Sequence, residues 1–159
     1  MHKKDLEDNF LELMKLHEQI IYKIVSFYAN QEHSTKDLHQ EVILNLWKAY
    51  PSFRGDSKFS TWMYRIALNT CITFYRKNRI SLHYTDTIID MPDYSDNSEN
   101  IKELYVLINR LNQIEKALLL LYLDEKPYKE IAEITGLSVT NVATRIGRIK
   151  DKLKKMSNE

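Results

Sequence analysis

Apolar residues recur at three- and four-residue steps through most of this 159-residue chain, and only three glycines and three prolines are available to interrupt them. Strands alternate faces with a period of two, and a many-stranded fold needs frequent tight turns built from such residues. The shortage rules against a loop-rich or all-β design and leaves helices joined by short connections. The length holds one ordinary domain or two small ones, and an apolar fraction of 43% suffices for a packed core. The expected fold class is all-α.

From about Asp5 to Tyr28, Phe10, Leu11, Met14, Ile20, Ile21, Ile24, Val25 and Tyr28 mark an amphipathic helix with room for one break. Residues 30–34 are a polar connection. Ser34 is placed to cap the next helix, with Asp37 in its first turn. Leu38, Val42, Leu46 and Trp47 form that helix's stripe, and Pro51 ends it. A polar loop over 51–58 has Gly55 in its middle. A helix from about Phe59 to Lys77 follows, with Trp62, Met63, Ile66, Ala67, Thr70, Cys71 and Phe74 at helical spacing.

The periodicity fades between Asn78 and Asn100, where Asp86, Asp90, Asp93, Asp96 and Glu99 gather around Pro92. This reads as an acidic linker over 81–99, between a helical domain at 1–80 and a second at 100–159. In the second block Ile101, Leu104, Tyr105, Ile108 and Leu111 make one stripe. Asn112 and Glu115 have the spacing of a capping box, and Ile114, Leu118, Leu121 and Tyr122 follow. Pro127 suits a first helical position. Tyr128, Ile131, Ala132 and Ile134 lead to Gly136, and Ser138 caps a last helix running to about Met156.

Several function classes drop out. Cys71 is the only cysteine, so there is no intramolecular disulfide and no four-cysteine zinc site. It fits a small buried hydrophobe in a reducing cytoplasm. His2, His17, His33, His39 and His83 lack metal spacing, and no nucleotide loop or nucleophile motif is present. The expectation is a non-enzyme with no cofactor and no metal. Residues 1–10 are charged, without a signal-peptide core. The densest apolar run, 117–123, is far short of a bilayer span. A cytoplasmic protein without membrane insertion is expected.

Residues 128–153 carry the pattern that points to function. Two short helices that cross steeply need a small residue at the contact, which Ala132 supplies, and a turn tolerant of positive φ, which Gly136 supplies. The second helix must bury one stripe and offer another to a DNA groove. Val142, Ile146, Ile149 and Leu153 make the buried stripe. Asn141, Arg145, Arg148 and Lys152 repeat the same steps about 100° around the helix. Arginine can pair with guanine or clamp a phosphate, and asparagine can pair with adenine. Thr140, Asn141 and Thr144 lie toward the N-terminal end, the part that enters a major groove. Between Asn141 and Lys155 the only acid is Asp151, so a formal net charge of +1 hides a basic helix. Lys154 and Lys155 are accounted for by the helix dipole alone.

Two stretches resemble the extracytoplasmic-function branch of the sigma-seventy family. The first runs Asp37-Leu38-His39-Gln40-Glu41-Val42-Ile43-Leu44-Asn45-Leu46-Trp47 and continues from Phe53-Arg54-Gly55-Asp56 to Ile66-Ala67-Leu68-Asn69. It is similar to the family's second region, and 128–153 is similar to its fourth. The resemblance implies two small helical domains. Asp37, Gln40, Glu41, Asn45 and Trp47 would dock on the clamp helices of the largest subunit of bacterial core RNA polymerase, and the flap would be a further contact. Phe53, Arg54, Ser57, Lys58, Tyr64, Arg65 and Asn69 would handle the minus-ten promoter element. They offer rings for unstacked bases, donors for base edges and cations for phosphate. Thr140, Asn141, Thr144, Arg145, Arg148 and Lys152 would read the minus-thirty-five duplex. Homologous factors often have an anti-sigma partner, although no residue here identifies one. The sequence departs from the family's usual residues at Thr73, where an acid is common, and at Gly147.

Apart from the resemblance, Asp37 fits the helix dipole as well as an interface, and Trp47 fits a core as well as an anchor. Trp62 fits the apolar stripe better than a stacking platform. The rival readings are a stand-alone helix-turn-helix regulator, which would bind duplex DNA without polymerase, and a helical adaptor that binds protein only. Residues 1–80 lack the alternating strands and helices of a receiver domain.

Overall fold

The computed structural model describes residues 3–29, 35–77 and 98–158. The chain separates into two compact units, Met1–Thr85 and Asp86–Glu159. No strand occurs among the described residues. The acidic linker, the cap at Ser34 and the connection around it lie outside the described residues, apart from the backbone of the linker's last two positions.

In the first unit α1 (Lys3–Leu16) and α2 (Glu18–Tyr28) are separated at His17, whose φ of −114° and ψ of 16° interrupt the helix. The single break allowed by the sequence is therefore real. α3 (Thr35–Ala49) runs into a short 3₁₀ turn at Tyr50–Ser52, with Pro51 where its fixed φ fits and no N–H is required. α4 (Phe59–Lys77) packs against α2 and α3. Ile24, Val25, Leu38, Val42, Leu46, Met63, Ala67 and Cys71 are all fully buried. Each large apolar side chain taken from water contributes about 1.5–3 kcal/mol. One polar chain crosses this interior. Asn45 Nδ2 donates to Thr70 Oγ1 at 2.9 Å, and that hydroxyl donates to the Ile66 carbonyl at 2.7 Å. It ties α3 to α4 while satisfying two half-hidden polar groups.

The buried face of α4 differs from the expected one. Tyr64, Leu68 and Tyr75 are in the core, whereas Trp62, Ile66 and Phe74 are only partly covered. Eleven apolar residues wrap most of this helix, so period alone does not select the side that faces α2. Leu11, expected in the stripe of α1, is 57% exposed.

The second unit is built around α6 (Gln113–Leu123), with α5 (Ser98–Asn109) before it. Asn112 Oδ1 accepts from the Glu115 N–H at 2.8 Å, and Glu115 Oε1 accepts from the Asn112 N–H at 3.0 Å. The capping box is complete. Residues 116–121 are all buried, so α6 is covered on every side rather than along one stripe. Leu104 and Ile114, expected inside, are 45% and 41% exposed. Lys116 is buried instead, with Nζ 3.2 Å from Asn109 Oδ1. Burial lowers its pKa to about 8.

α7 (Tyr128–Thr135) and α8 (Val139–Ser157) form the helix-turn-helix. Pro127 caps α7 and does not begin it, one residue off the expected position. Gly136 takes φ 80° and donates its N–H to the Ala132 carbonyl at 2.9 Å. Only glycine enters that left-handed region freely. Ser138 then accepts from the Asn141 N–H at 3.1 Å and starts α8. Val142, Ile146 and Ile149 are buried against α6 and α7, with Leu153 partly covered at the end of the row.

Candidate nucleic-acid and protein interfaces

With that row turned inward, the opposite face of α8 is open. Thr140, Thr144, Arg145 and Arg148 are exposed, and Asn141 and Lys152 are partly so. The helix is 19 residues long, or roughly 28 Å at 1.5 Å per residue, enough to cross a major groove. Its polar groups are not equivalent. Arg145 Nε donates to Asn141 Oδ1 at 3.0 Å. Thr144 returns its hydroxyl to the Thr140 carbonyl at 3.0 Å. Lys152 Nζ sits 3.0 Å from Glu115 Oε1, joining α8 to the cap of α6. A half-exposed pair of this kind is worth about 1 kcal/mol or less, so Lys152 can exchange it for a phosphate.

Lys150, one of the basic residues of the helix, is turned elsewhere. Its ammonium lies 4.2 Å from the Tyr122 ring centroid, and the hydrogen bond it donates to the Tyr122 hydroxyl raises its pKa. Val139 and Ala143, not singled out from the sequence, are exposed on the first turns of α8. Their methyl groups suit thymine methyls. Their only signal was being small and apolar outside the buried row. A Cβ added at Gly147 would meet nothing within 4 Å.

On the first unit, the outward side of α3 carries the expected protein-binding residues. Asp37, Gln40 and Glu41 are exposed. Gln40 and Trp47 line a groove of about 620 Å³ between α1 and α3 whose other walls include Phe10, Leu11, Ile43 and Leu44. Trp47 is held there by Phe10, with ring centroids 5.0 Å apart. Leu11 and Leu44 remain 57% and 44% exposed. An apolar floor with amide and carboxylate at its rim suits an amphipathic helix with basic flanks. Asn45 is set apart from this group because its amide is engaged with Thr70. The sequence marks Phe10 and Leu11 only as part of the stripe of α1 and gives Ile43 and Leu44 no site role, because only the approach of α1 to α3 joins the four into one surface.

The loop after α3 is organised by rings. Phe53 lies 5.1 Å from Trp62 and 5.5 Å from Phe59, and Phe59 lies 5.2 Å from both Trp62 and His17. All four rings are partly exposed. Trp62 thus sits at the edge of the domain rather than deep in its core. Gly55 adopts φ 78°, which lets the loop turn back. Arg54 and Lys58, in the same loop, and Arg65 and Asn69, on α4, are exposed, and Ser57 is partly so. Tyr64 does not belong with them. It is 1% exposed, with Lys23 Nζ 5.6 Å from its ring centroid. The expectation that Tyr64 contacts a base is corrected, because its ring is taken up by the core.

Among the described residues no group of three or more histidines, cysteines or acids could hold a metal, and no helix is long and apolar enough to cross a membrane. Cys71 is buried, and burial pushes its thiol up to about 12, leaving it inert as a nucleophile.

Comparison with known proteins matches residues 13–80 to the family described as Sigma-70 region 2 and residues 101–153 to Sigma-70, region 4. The chain is 31% identical to RNA polymerase sigma factor YlaC of Bacillus subtilis, over 97% of this chain and 92% of that one. It is 27% identical to ECF RNA polymerase sigma factor SigW of the same organism, over 96% and 91% of the two chains. Among solved structures, the sigma factor RpoE in complex with the anti-sigma factor NepR, from Bartonella quintana, is similar with a TM-score of 0.75 at 17% identity, covering 94% of this chain and 97% of that one. CnrH in complex with the cytosolic domain of CnrY is similar at a TM-score of 0.68 and 22% identity, over 96% and 89%.

Proposed function

The chain belongs to the sigma-70 family of RNA polymerase sigma factors, in its extracytoplasmic-function branch, and from that membership we propose how its two units share the work. It binds core RNA polymerase and directs it to promoters. One observation carries this reading: a region-2 match at 13–80 is followed by a region-4 match at 101–153 in a single chain. A stand-alone helix-turn-helix regulator accounts for the second match and leaves the first unexplained.

In the proposed division, the α1–α3 groove with Asp37, Gln40, Glu41 and Trp47 receives the polymerase clamp helices. Phe53, Arg54, Ser57, Lys58, Arg65 and Asn69, with the ring cluster behind them, capture bases of the opening minus-ten strand. Ring stacking is sequence-tolerant and worth about 1–3 kcal/mol per base. The exposed cations around the rings draw in phosphate. Thr140, Asn141, Thr144, Arg145, Arg148 and Lys152 on α8 face the minus-thirty-five duplex, and the rest of the second unit meets the polymerase flap. RNA chain growth belongs to the polymerase, and this subunit acts in the cytoplasm by binding alone. An anti-sigma protein, of the kind seen with RpoE, is the natural restraint.

The test is size-exclusion chromatography with bacterial core polymerase and no DNA. A one-to-one complex that is lost on changing Gln40 and Glu41 to lysine supports the reading. Dimeric binding to duplex DNA without any polymerase complex overturns it. Arg145→Ala and Arg148→Ala should weaken promoter use and leave the polymerase complex intact. Loss of that complex in either variant would contradict the division between the units.

A further inference from the structure

Asn141 and Arg145 sit one turn apart on the exposed face of α8, joined by the 3.0 Å bond from Arg145 Nε to Asn141 Oδ1. Both residue types can read bases on their own. Arginine pairs with guanine through two donors, and asparagine pairs with adenine through Oδ1 and Nδ2 together. The bond between them changes what each can offer. Arginine has five donors in a fixed planar fork. With Nε occupied, the outward end presents Nη1 and Nη2 as two parallel donors. Guanine shows two acceptors, N7 and O6, on its major-groove edge. Adenine, thymine and cytosine each fail to provide that pair. Asn141 Oδ1 is meanwhile engaged by Arg145 Nε, and a bidentate contact to adenine would need that same oxygen together with Nδ2.

We propose that Asn141 and Arg145 form one reading unit, in which Asn141 is a positioning residue and Arg145 selects a guanine in the upstream promoter element. The proposal rests on the reading of α8 as the duplex-binding helix and adds the base identity and the role of Asn141. Pre-organisation is the physical gain. A free arginine side chain must be ordered on binding, and a side chain already held by its neighbour loses less freedom. Asn141 is also the third residue of α8, its N–H bonded to the Ser138 cap. It is anchored at the helix start and can hold a longer neighbour.

The experiment is selection of active promoters by the full chain assembled with core polymerase, from a pool randomised across the upstream duplex element. Wild type is compared with Arg145→Ala, Asn141→Ala and Asn141→Asp. Aspartate keeps the acceptor for Nε, loses the Nδ2 donor and is favoured in a first helical turn. Its added negative charge weakens binding overall and can favour a cytosine N4 donor, so the readout is the guanine preference lost in Arg145→Ala. Arg145→Ala should reduce preference for guanine at one position about 10- to 100-fold. Asn141→Ala should weaken preference at that same position, and Asn141→Asp should restore it. The proposal fails if Asn141→Ala changes preference at a different base pair while the guanine stays selected, because Asn141 then reads DNA independently. It also fails if Asn141→Asp behaves as Asn141→Ala does. If Arg145→Ala leaves every preference in the element intact, the reading of α8 falls and the proposal with it, a result distinguishable from the other two.

Discussion

Replacing Gly147 with alanine separates what α8 needs for folding from what it needs for DNA. Gly147 lies inside a 19-residue helix, on the exposed face, three residues after Thr144 and next to Arg148. A helix-interior glycine is less favourable than alanine by about 1 kcal/mol. The new methyl group would meet nothing within 4 Å, so no steric term offsets that gain. Gly147→Ala should therefore stabilise the second unit by about 1 kcal/mol, a rise in Tm of roughly 4–8 °C for a unit of this size. Thermal unfolding followed by far-ultraviolet circular dichroism measures this. If the position is glycine because the backbone approaches a phosphate or base closely, promoter affinity should fall at least about tenfold, a cost near 1.4 kcal/mol, in the same variant that gained stability. A lower Tm would refute the stability argument. A higher Tm with full promoter use would refute close approach at Gly147.

Other variants test particular features of the fold. Glu125 holds φ 59°, with its N–H on the Tyr122 carbonyl and the Lys126 N–H on the Leu121 carbonyl, a Schellman ending with glutamate where glycine is usual; Glu125→Gly should raise stability by about 0.5–1 kcal/mol, whereas Glu125→Ala, which keeps the strain, should not. Lys116, lowered to about 8 by burial, makes the unfolded state bind more protons between about pH 8 and the ordinary lysine value of 10.5, so the second unit should gain stability as pH rises through that window. Lys116→Met should abolish that rise and stabilise the unit at pH 7 by roughly 1–3 kcal/mol, as read by denaturant titration of the helical signal. The first unit should respond the opposite way: Cys71 is pushed up from 9.0 to about 12 and Tyr28 well above 10.0, both by burial. Stability from Cys71 is complete below pH 9 and is lost as pH rises toward 12. Trp47 and Trp62 are the only tryptophans, so their fluorescence follows this unit alone, and unchanged unfolding midpoints from pH 9 to 11 would count against the argument.

Local rules were legible in the sequence. The capping box at Asn112 and Glu115, the left-handed turn at Gly136 and the cap at Ser138 each depend on residues within four positions of one another, and each is present as expected. The buried row on α8 was also readable, because charges on every other side leave one apolar direction. Tertiary choices were not. α4 has apolar residues around most of its circumference, and packing against α2 takes Tyr64 inward and leaves Trp62 at the edge. Tyrosine fits either place, so nothing local distinguishes a base-stacking ring from a core ring at position 64. The same ambiguity hid Lys116, whose long apolar stem lets a charged residue follow a helix inward. The α1–α3 groove was invisible for a different reason. Leu11 and Leu44 lie 33 positions apart in the sequence and become one surface only when the helices pair.

The distribution of charge links these observations to mechanism. Of the basic residues along α8, Lys150 leans on Tyr122, Lys152 pairs with Glu115, and Lys154 and Lys155 lie in the last turn, where the dipole favours them. Arg145 and Arg148 are exposed in the middle of the helix, and Lys152 reaches a phosphate only by giving up Glu115. Duplex affinity scales with the number of phosphates neutralised, and a helix contacting only a few holds DNA weakly at physiological salt. Meanwhile α3 exposes Asp37 and Glu41 beside an apolar groove, an arrangement that repels phosphate and attracts a basic protein surface. A near-neutral chain of this kind is therefore poorly equipped to find a promoter alone. In the proposed division, attachment through the acidic face of one unit would raise the effective concentration of DNA at the basic face of the other. On this account, promoter binding by the free protein is weak because the surface is divided between two partners of opposite charge.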